Sequence, residues 1–543
     1  MNRDLLICSF CTALLLIVPV GAQEGITSTL VDDVATLDLT TVEADSPARS
    51  VIIRQEAVQQ FHTPSVATKT IQRTETEREK NLPAVDTISG AENRTFQRYD
   101  LGDILSQSAG VSLIEAGQMG GQTSLFIRGM ESNHTVVLLN GRRLPPGLAG
   151  IYQLEYLDVS TLESVQITKG AASSLYGSDA LAGVIDMHSA DARYVEENTL
   201  SSFVEGGSFS TFRTGHKVTL KDGPVGITLD TSALDTANDR PSSAFQNGHI
   251  RGNVAIELGE GVYVDVLGYI QDSNLEVPGS SRSTTFPEQQ LNKNLSSLFS
   301  PRFSIARDDW DFSTFYSHTA NELEATRDPF FNDNLLEQVS HEIEAVFNYH
   351  PTDEATYTLG AGYYGYAFER TPLIPGPFNL PSNFEFSYTS IFAQADLDLP
   401  WNFHLLTSGR FDEHDSFTSK GTYTVQLTHE IESTGTTLFG KTSTGYKAPS
   451  GQDFIFLAPN IDPTTLQPEE SQTWEVGARQ TIFNERSSIA LTYFQAAVDN
   501  LIDVDPFTFV DPAIVDTETR GLELELTYSP CENLRFYTNA TWL

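Results

Sequence analysis

From about residue 197 to residue 543 the chain alternates apolar and polar residues with a period of two. Leu522, Leu524, Leu526 and Tyr528 alternate with Glu523, Glu525 and Thr527. Ala393, Ala395, Leu397 and Leu399 alternate with Gln394, Asp396 and Asp398, and Tyr357, Leu359, Ala361 and Tyr363 with Thr356, Thr358, Gly360 and Gly362. Successive side chains of a strand point to opposite faces, so each run predicts a strand with one apolar and one polar face. Runs of about ten residues separated by turns are the signature of a transmembrane β-barrel, lipid outside and water within. A soluble β-sandwich or propeller alternates in the same way. Full charges on the polar face, and Trp474 and Tyr528 where interfacial girdles need aromatics, favour the membrane barrel. No fixed short repeat marks the blades of a propeller.

Between about residues 84 and 190 the pattern changes to a compact α/β texture. Leu101, Ile104 and Leu105 are spaced i, i+3, i+4, which predicts a helix over 99–108 with Asp100 as N-cap. Short strands are predicted at 124–127, 135–139 and 165–167. Asn140-Gly141 supplies the two positive φ values of a tight hairpin turn, with 142–144 returning. Residues 23–83 are polar and weakly patterned, apart from a short strand at 51–53, and read as an extension without a core of its own.

The run Leu5–Val20 is apolar, and its 16 residues fall short of the roughly 20 a helix needs to span a bilayer. Val20 and Ala22 suit a signal-peptidase cut after Ala22, so residues 1–22 are expected to be a cleaved export signal. Beyond Ala22 no apolar run is long enough for a helical span, which leaves strands as the only membrane-crossing element. The net charge of −39 argues against nucleic acid, whose phosphates require a basic face. Of 3 cysteines, Cys8 and Cys11 fall in the signal, so Cys531 alone remains and there is no disulfide or cysteine–zinc framework.

The compact unit carries the family signal. Leu125-Phe126-Ile127-Arg128-Gly129-Met130, Val136-Val137-Leu138-Leu139-Asn140-Gly141, and the run from Val165 through Lys169-Gly170-Ala171 and Leu175-Tyr176-Gly177-Ser178 to Asp186 resemble, in order and spacing, the plug domain of TonB-dependent outer-membrane receptors. Gly445-Tyr446-Lys447-Ala448-Pro449, Leu466-Gln467-Pro468-Glu469-Glu470-Ser471, Gly409-Arg410-Phe411-Asp412 and Arg520-Gly521-Leu522-Glu523 resemble stretches of the family's barrel. The resemblance implies an N-terminal α/β plug (84–192) inside a 22-stranded transmembrane β-barrel (193–543), the size at which outer-membrane transporters have a plugged lumen. It also implies binding of a scarce, large solute at the extracellular face, with import driven by TonB and its inner-membrane energising complex.

Site residues follow from the same resemblance. Arg128 matches a plug arginine that pairs with barrel-wall carboxylates, and Glu469 and Glu475 are candidate partners. Lys169 stands where the family usually has a second arginine, and a lysine cannot form a bidentate pair there. The apex loops correspond to residues 117–123, with Gln118, Met119 and Gln122, and 144–153, with Pro145, Pro146 and Tyr152. They carry no charge, which leans towards nearly neutral cobalamin, whereas Arg142 and Arg143 lean towards a ferric siderophore. A TonB box, which would add a strand to TonB, is matched by Leu39–Glu43, with Thr40, Thr41 and Val42 at its centre, and equally by Thr68–Ile71. Acidic loop positions Asp235, Asp239 and Asp272 are candidate calcium ligands, or simply solvated.

No HExxH, GxSxG or P-loop pattern points to an enzyme. A passive porin or adhesin barrel is the alternative from another class. The chain ends at Thr541-Trp542-Leu543 without a terminal aromatic strand, so about three further strands are expected to be missing, because open sheet edges are not viable in lipid.

Overall fold

The computed structural model describes residues 51–54 and 85–543, except 96–97, 99, 148–149, 279–289, 328–332, 375–380, 452, 454–465, 483–486, 505–511 and 532–533. The export signal and both TonB-box candidates, with Thr40, Thr41 and Val42, lie outside the described residues. No described helix is long and apolar enough to cross a membrane.

Strand β1 (Val51–Arg54) is followed, in the plug, by β2 (Val85–Ser89), helices α1 (Gly90–Thr95) and α2 (Leu101–Leu105), and strands β3 (Val111–Glu115) and β4 (Thr123–Ile127). Next come β5 (Thr135–Leu139), β6 (Arg142–Arg143), β7 (Ser164–Lys169), α3 (Ser173–Tyr176) and β8 (Gly183–His188). The expected helix over 99–108 is the shorter α2, capped as predicted: Asp103 N–H donates to Asp100 Oδ1 at 2.8 Å. A mixed sheet runs in the order β2-β7-β8-β5-β6, and β3 and β4 form a separate hairpin. Asn140 (φ 50) and Gly141 (φ 74) make the predicted tight turn between β5 and β6. Strands β2, β3 and β8 had no prediction. The first two are short, and β8 is buried on both faces, so its sequence shows no alternation to read.

The barrel strands are β9 (Thr199–Gly206), β10 (Phe212–Asp222), β11 (Val225–Thr236), β12 (Phe245–Gly259), β13 (Val262–Val277), β14 (Gln290–Ala306), β15 (Trp310–Thr326) and β16 (Asn334–Thr352). They continue as β17 (Ala355–Pro372), β18 (Ser382–Leu399), β19 (Phe403–His414), β20 (Lys420–Ile431), β21 (Thr436–Lys447), β22 (Glu469–Ile482), β23 (Ser487–Val504), β24 (Pro512–Cys531) and β25 (Leu534–Trp542). Among the described residues these 17 strands form one antiparallel sheet, each bonded to its chain neighbour. β1 pairs antiparallel with β9.

The period-two reading sorts the faces correctly. Leu359 is 61% exposed and Tyr357, Tyr363, Trp474 and Tyr528 also face outwards, whereas the intervening Thr356 and Thr358 are buried. Much of the lumen side is polar where it meets the plug, but the plug's apolar core, built from α2 and the β5, β7 and β8 strands, continues into the wall through Leu267, Tyr269, Leu298 and Val498, and Leu175 and Tyr176 pack with Val346 and Phe392. The plug–barrel seam therefore combines apolar contacts with hydrogen bonds and ion pairs. That seam holds the candidate site.

Candidate functional site

Strand β4 ends where Arg128 takes a left-handed conformation (φ 56), followed by Gly129 (φ 76). The turn sends the Arg128 side chain into the wall, where it is buried. Its Nε and Nη2 donate to the two oxygens of Glu523 at 2.9 and 3.0 Å, and Nη2 also lies 2.9 Å from Glu475 Oε2. The guanidinium sits 4.5 Å from the centroid of the Phe494 ring. Burial alone would lower its pKa, but Glu475 and Glu523 outweigh that and hold it above the ordinary arginine value.

Lys169, at the end of β7, is equally buried and serves as a point charge. Its Nζ lies 3.1 Å from both Asp86 and Glu525, 3.9 Å from Glu523, and donates to the Ala109 carbonyl at 3.2 Å. Lys441 of β21 completes the cluster, 3.3 Å from Glu475 and donating to the Lys169 carbonyl at 2.9 Å. The expected residues Arg128, Lys169 and Glu475 are thus brought together, and Glu523 joins them. The Arg520–Glu523 stretch was legible as family-like, but nothing in its spacing marked Glu523 as the partner.

Glu469 stands elsewhere, and the expectation that it pairs with Arg128 is corrected. It opens β22 at the loop end of the strand and accepts from two other groups: His134 Nε2 at 2.6 Å and Lys447 Nζ at 3.2 Å. Lys447 is also 3.9 Å from Asp453. Period two along β22 separates Glu469 from Glu475 by three steps on the same face, about 20 Å, so one arginine cannot reach both.

The tyrosine–glycine segment docks α3 on the wall. Ser174 Oγ bonds Ser408 Oγ and Thr424 Oγ1 at 2.7 and 2.8 Å, and the Tyr446 and Ala448 N–H groups donate to Ser173 Oγ and Ser178 Oγ at 3.2 and 2.9 Å. Gly177 (φ 71) lies so close to the wall that a Cβ there would be 2.9 Å from the Arg410 guanidinium.

At the other end of the seam the first apex loop is fastened to the β11–β12 loop. Gln118 donates to Asp239 and accepts from Ser243 at 2.7 Å, and Asn238 donates to the Met119 carbonyl at 3.0 Å. Gln122 is exposed and Pro145 and Pro146 are half-buried. Tyr152 is buried, and burial pushes its hydroxyl above the usual range. Asp235 accepts from Gln246 at 2.6 Å. Among the described residues no group of three or more His, Cys, Asp or Glu is placed to hold a metal ion.

The sequence reading missed an aromatic wall. Tyr364, Tyr366, Phe384, Phe386, Tyr388 and His414 project inward from β17, β18 and β19 and are joined by Phe417, with Phe386 5.4 Å from Tyr366 and 5.8 Å from Phe417 between centroids. The Arg143 guanidinium sits 5.4 Å from the Tyr364 ring. Trp474 and Tyr528, read as girdle aromatics, face outwards, whereas the run 384, 386, 388 occupies the inward face.

A barrel filled by a separate α/β unit and fastened by buried ion pairs matches two family models: the TonB-dependent Receptor Plug Domain over residues 78–184, and the TonB dependent receptor-like beta-barrel over residues 209–543. The chain belongs to the TonB-dependent receptor family. The receptor is 24% identical over 467 residues to the vitamin B12 transporter BtuB of Photobacterium profundum, covering 82% of this chain and 73% of that one. It is 25% identical over 501 residues to BtuB of Vibrio vulnificus, covering 86% and 76%. Its fold is similar to a mutant of the ferric enterobactin receptor PfeA of Pseudomonas aeruginosa, with TM-score 0.70 and 17% identity over 85% of this chain and 80% of that one. The family's members are outer-membrane receptors and transporters.

Proposed function

We propose that the receptor is an active importer of the outer membrane: it captures a scarce, bulky solute at the mouth and releases it to the periplasm when TonB, energised from the inner membrane, displaces the plug. The observation that carries this reading is the buried Arg128–Glu475–Glu523 cluster. A plug that is only an obstruction needs no such fastening, whereas a movable one must be held by contacts that break together. In this reading residues 1–22 are the export signal, 23–83 carry the TonB box at Thr40–Val42 or at Thr68–Ile71, and the barrel in full has 22 strands.

The solute belongs to the corrinoid or ferric-chelate class. The neutral apex loops and the aromatic wall suit a large ligand with flat apolar faces, and the relatives are vitamin B12 transporters and a ferric enterobactin receptor, one from each class. Purified receptor in detergent, screened against cobalamin and a panel of ferric siderophores, decides between them. Uptake by cells with and without TonB tests the coupling. Equal uptake in both strains makes the receptor a passive barrel and overturns the reading.

A further inference from the structure

The outer face of the barrel changes character at one row of paired residues. Phe299, His318, His341 and Gly365 stand in register across β14 to β17. Towards the short turns at 307–309 and 353–354, the outward positions Ile343, Phe347 and Leu359 are exposed apolar side chains. Tyr316 and Tyr363 flank Ile343 at the upper edge of this band. In the other direction Glu322, Glu337 and Glu369 form one paired row on the same face. An apolar band closed by aromatics and followed by charge marks the boundary between lipid and water. His318 and His341 sit on that boundary, where neither the girdle nor the strand pairing calls for an imidazole.

The two rings lie directly opposite each other on adjacent strands. Their centroids are 4.9 Å apart, and the two Nδ1 atoms are separated by 3.5 Å. That separation is long for a direct hydrogen bond. Two metal–nitrogen bonds of about 2.0–2.1 Å bridging it would enclose an angle of roughly 115–120°, near the tetrahedral value. The Tyr316 hydroxyl is 2.8 Å from His341 Nδ1, and this bond is the one a metal would have to displace. His341 is exposed and His318 half-buried, and Gly365, on the far side of His341, adds no side chain to cover the pair. The glutamate row stands roughly 13 Å along the strands from the histidines, so the local field attracts a cation and repels a phosphate.

We propose that His318 and His341 form an open, two-histidine site for one divalent transition-metal cation of the copper and zinc class, on the outer wall of the barrel. Imidazole nitrogen selects this class over calcium and magnesium, which take oxygen ligands. Bound there, the ion clips β15 to β16 at the lipid boundary and completes its coordination with water from the outer side. Both ligands must be neutral, so acid releases the metal. The inference is independent of what the receptor carries.

The test uses the full chain in detergent, with copper(II) chloride as the probe. Electron paramagnetic resonance at one equivalent of Cu²⁺ is expected to show nitrogen superhyperfine structure from two imidazoles. His341→Phe places on this row a side chain that it already holds at Phe299, and is expected to lose that signal together with one equivalent of bound metal. Tyr316→Phe removes the competing hydroxyl and is expected to keep both. An unaltered chain that takes up no copper, or a His341→Phe variant with the same spectrum and stoichiometry, overturns the site. The spectrum of the unaltered chain stands whether or not the variants fold.

Discussion

Gly110 of the plug and Glu523 of the barrel wall are in direct contact: a Cβ on Gly110 would stand 1.9 Å from Glu523 Oε1. Gly110 also has φ +80, and its carbonyl accepts from the Arg128 N–H at 2.6 Å. One glycine therefore places both partners of the ion pair. Gly110→Ala is expected to push Glu523 off Arg128 and weaken plug retention by about 3 kcal/mol or more. Ion conductance through single barrels in planar bilayers measures it: a closed wild type and a leaking variant are expected, and equal closure would show that the pair is not needed.

Within the cluster the pairs should be strongly coupled. Arg128→Ala leaves two buried carboxylates, relieved only by Lys441 and Lys169, and is expected to cost about 3–5 kcal/mol. Adding Glu523→Gln to that variant should recover part of the loss, a non-additivity that a double-mutant cycle on thermal unfolding detects. Additive losses would mean that Arg128 and Glu523 act separately.

His134 and Glu469 are expected to behave as a second pair. His134→Phe leaves the carboxylate to Lys447 alone, and His134→Phe with Glu469→Leu should be less damaging than the sum of the single changes. Hydrogen exchange along β22 and in 448–453 reports the effect, because Lys447 and Asp453 carry it into the loop.

The plug should lose stability as pH rises. Burial, with Asp103 adding to it, pushes the Asp100 carboxyl up to about 7, and burial pushes Glu155 up to about 8. Each keeps its proton in the folded state where the unfolded chain has lost it, so the folded state binds more protons between about pH 4 and 8 and stability falls across that window. Asp158 opposes this only at lower pH: although burial would raise its pKa, Arg213 holds it below the usual carboxylate range. Amide exchange at Leu101–Leu105, corrected for intrinsic rates, should be faster near pH 8.5 than near pH 5.5. Equal protection would place both groups in ordinary ionisation.

Phe384→Ala removes one half-buried ring from the aromatic wall and is expected to weaken capture of the cognate solute about tenfold, or ~1.4 kcal/mol, with an unchanged melting temperature. Equilibrium binding in detergent measures it. Unchanged affinity would place the solute elsewhere in the mouth.

The barrel was legible because its strands alternate in a way that lipid outside and polar contacts inside enforce over hundreds of residues. The plug was legible in its turns, where Asn140-Gly141 and Tyr176-Gly177 satisfy backbone demands that few residues meet. Partners across the seam were not legible. Arg128 meets Glu523 at a sequence separation of 395, and no local pattern encodes which of many inward carboxylates lies at its height. The same limit led Glu469 to be matched with Arg128 instead of His134. Inward aromatics such as Phe386 were hidden because one period serves both faces, and only the register tells which face is wet.

Lys169 touches Asp86, and Asp86 belongs to β2, the edge strand of the plug sheet and the first plug element after the extension. β2 is joined to β7 through five residue pairs, from Val85–Thr168 to Ser89–Ser164. Tension applied to the extension loads this strand before any other part of the plug sheet, and Asp86 is the second residue it reaches. A compact ammonium, unlike a planar fork, can let go of Asp86 while keeping Glu525 and Glu523. If the extension is pulled as proposed, the Lys169–Asp86 contact stands at the edge of the plug sheet that the pull enters, and it is expected to part before the Arg128 pair.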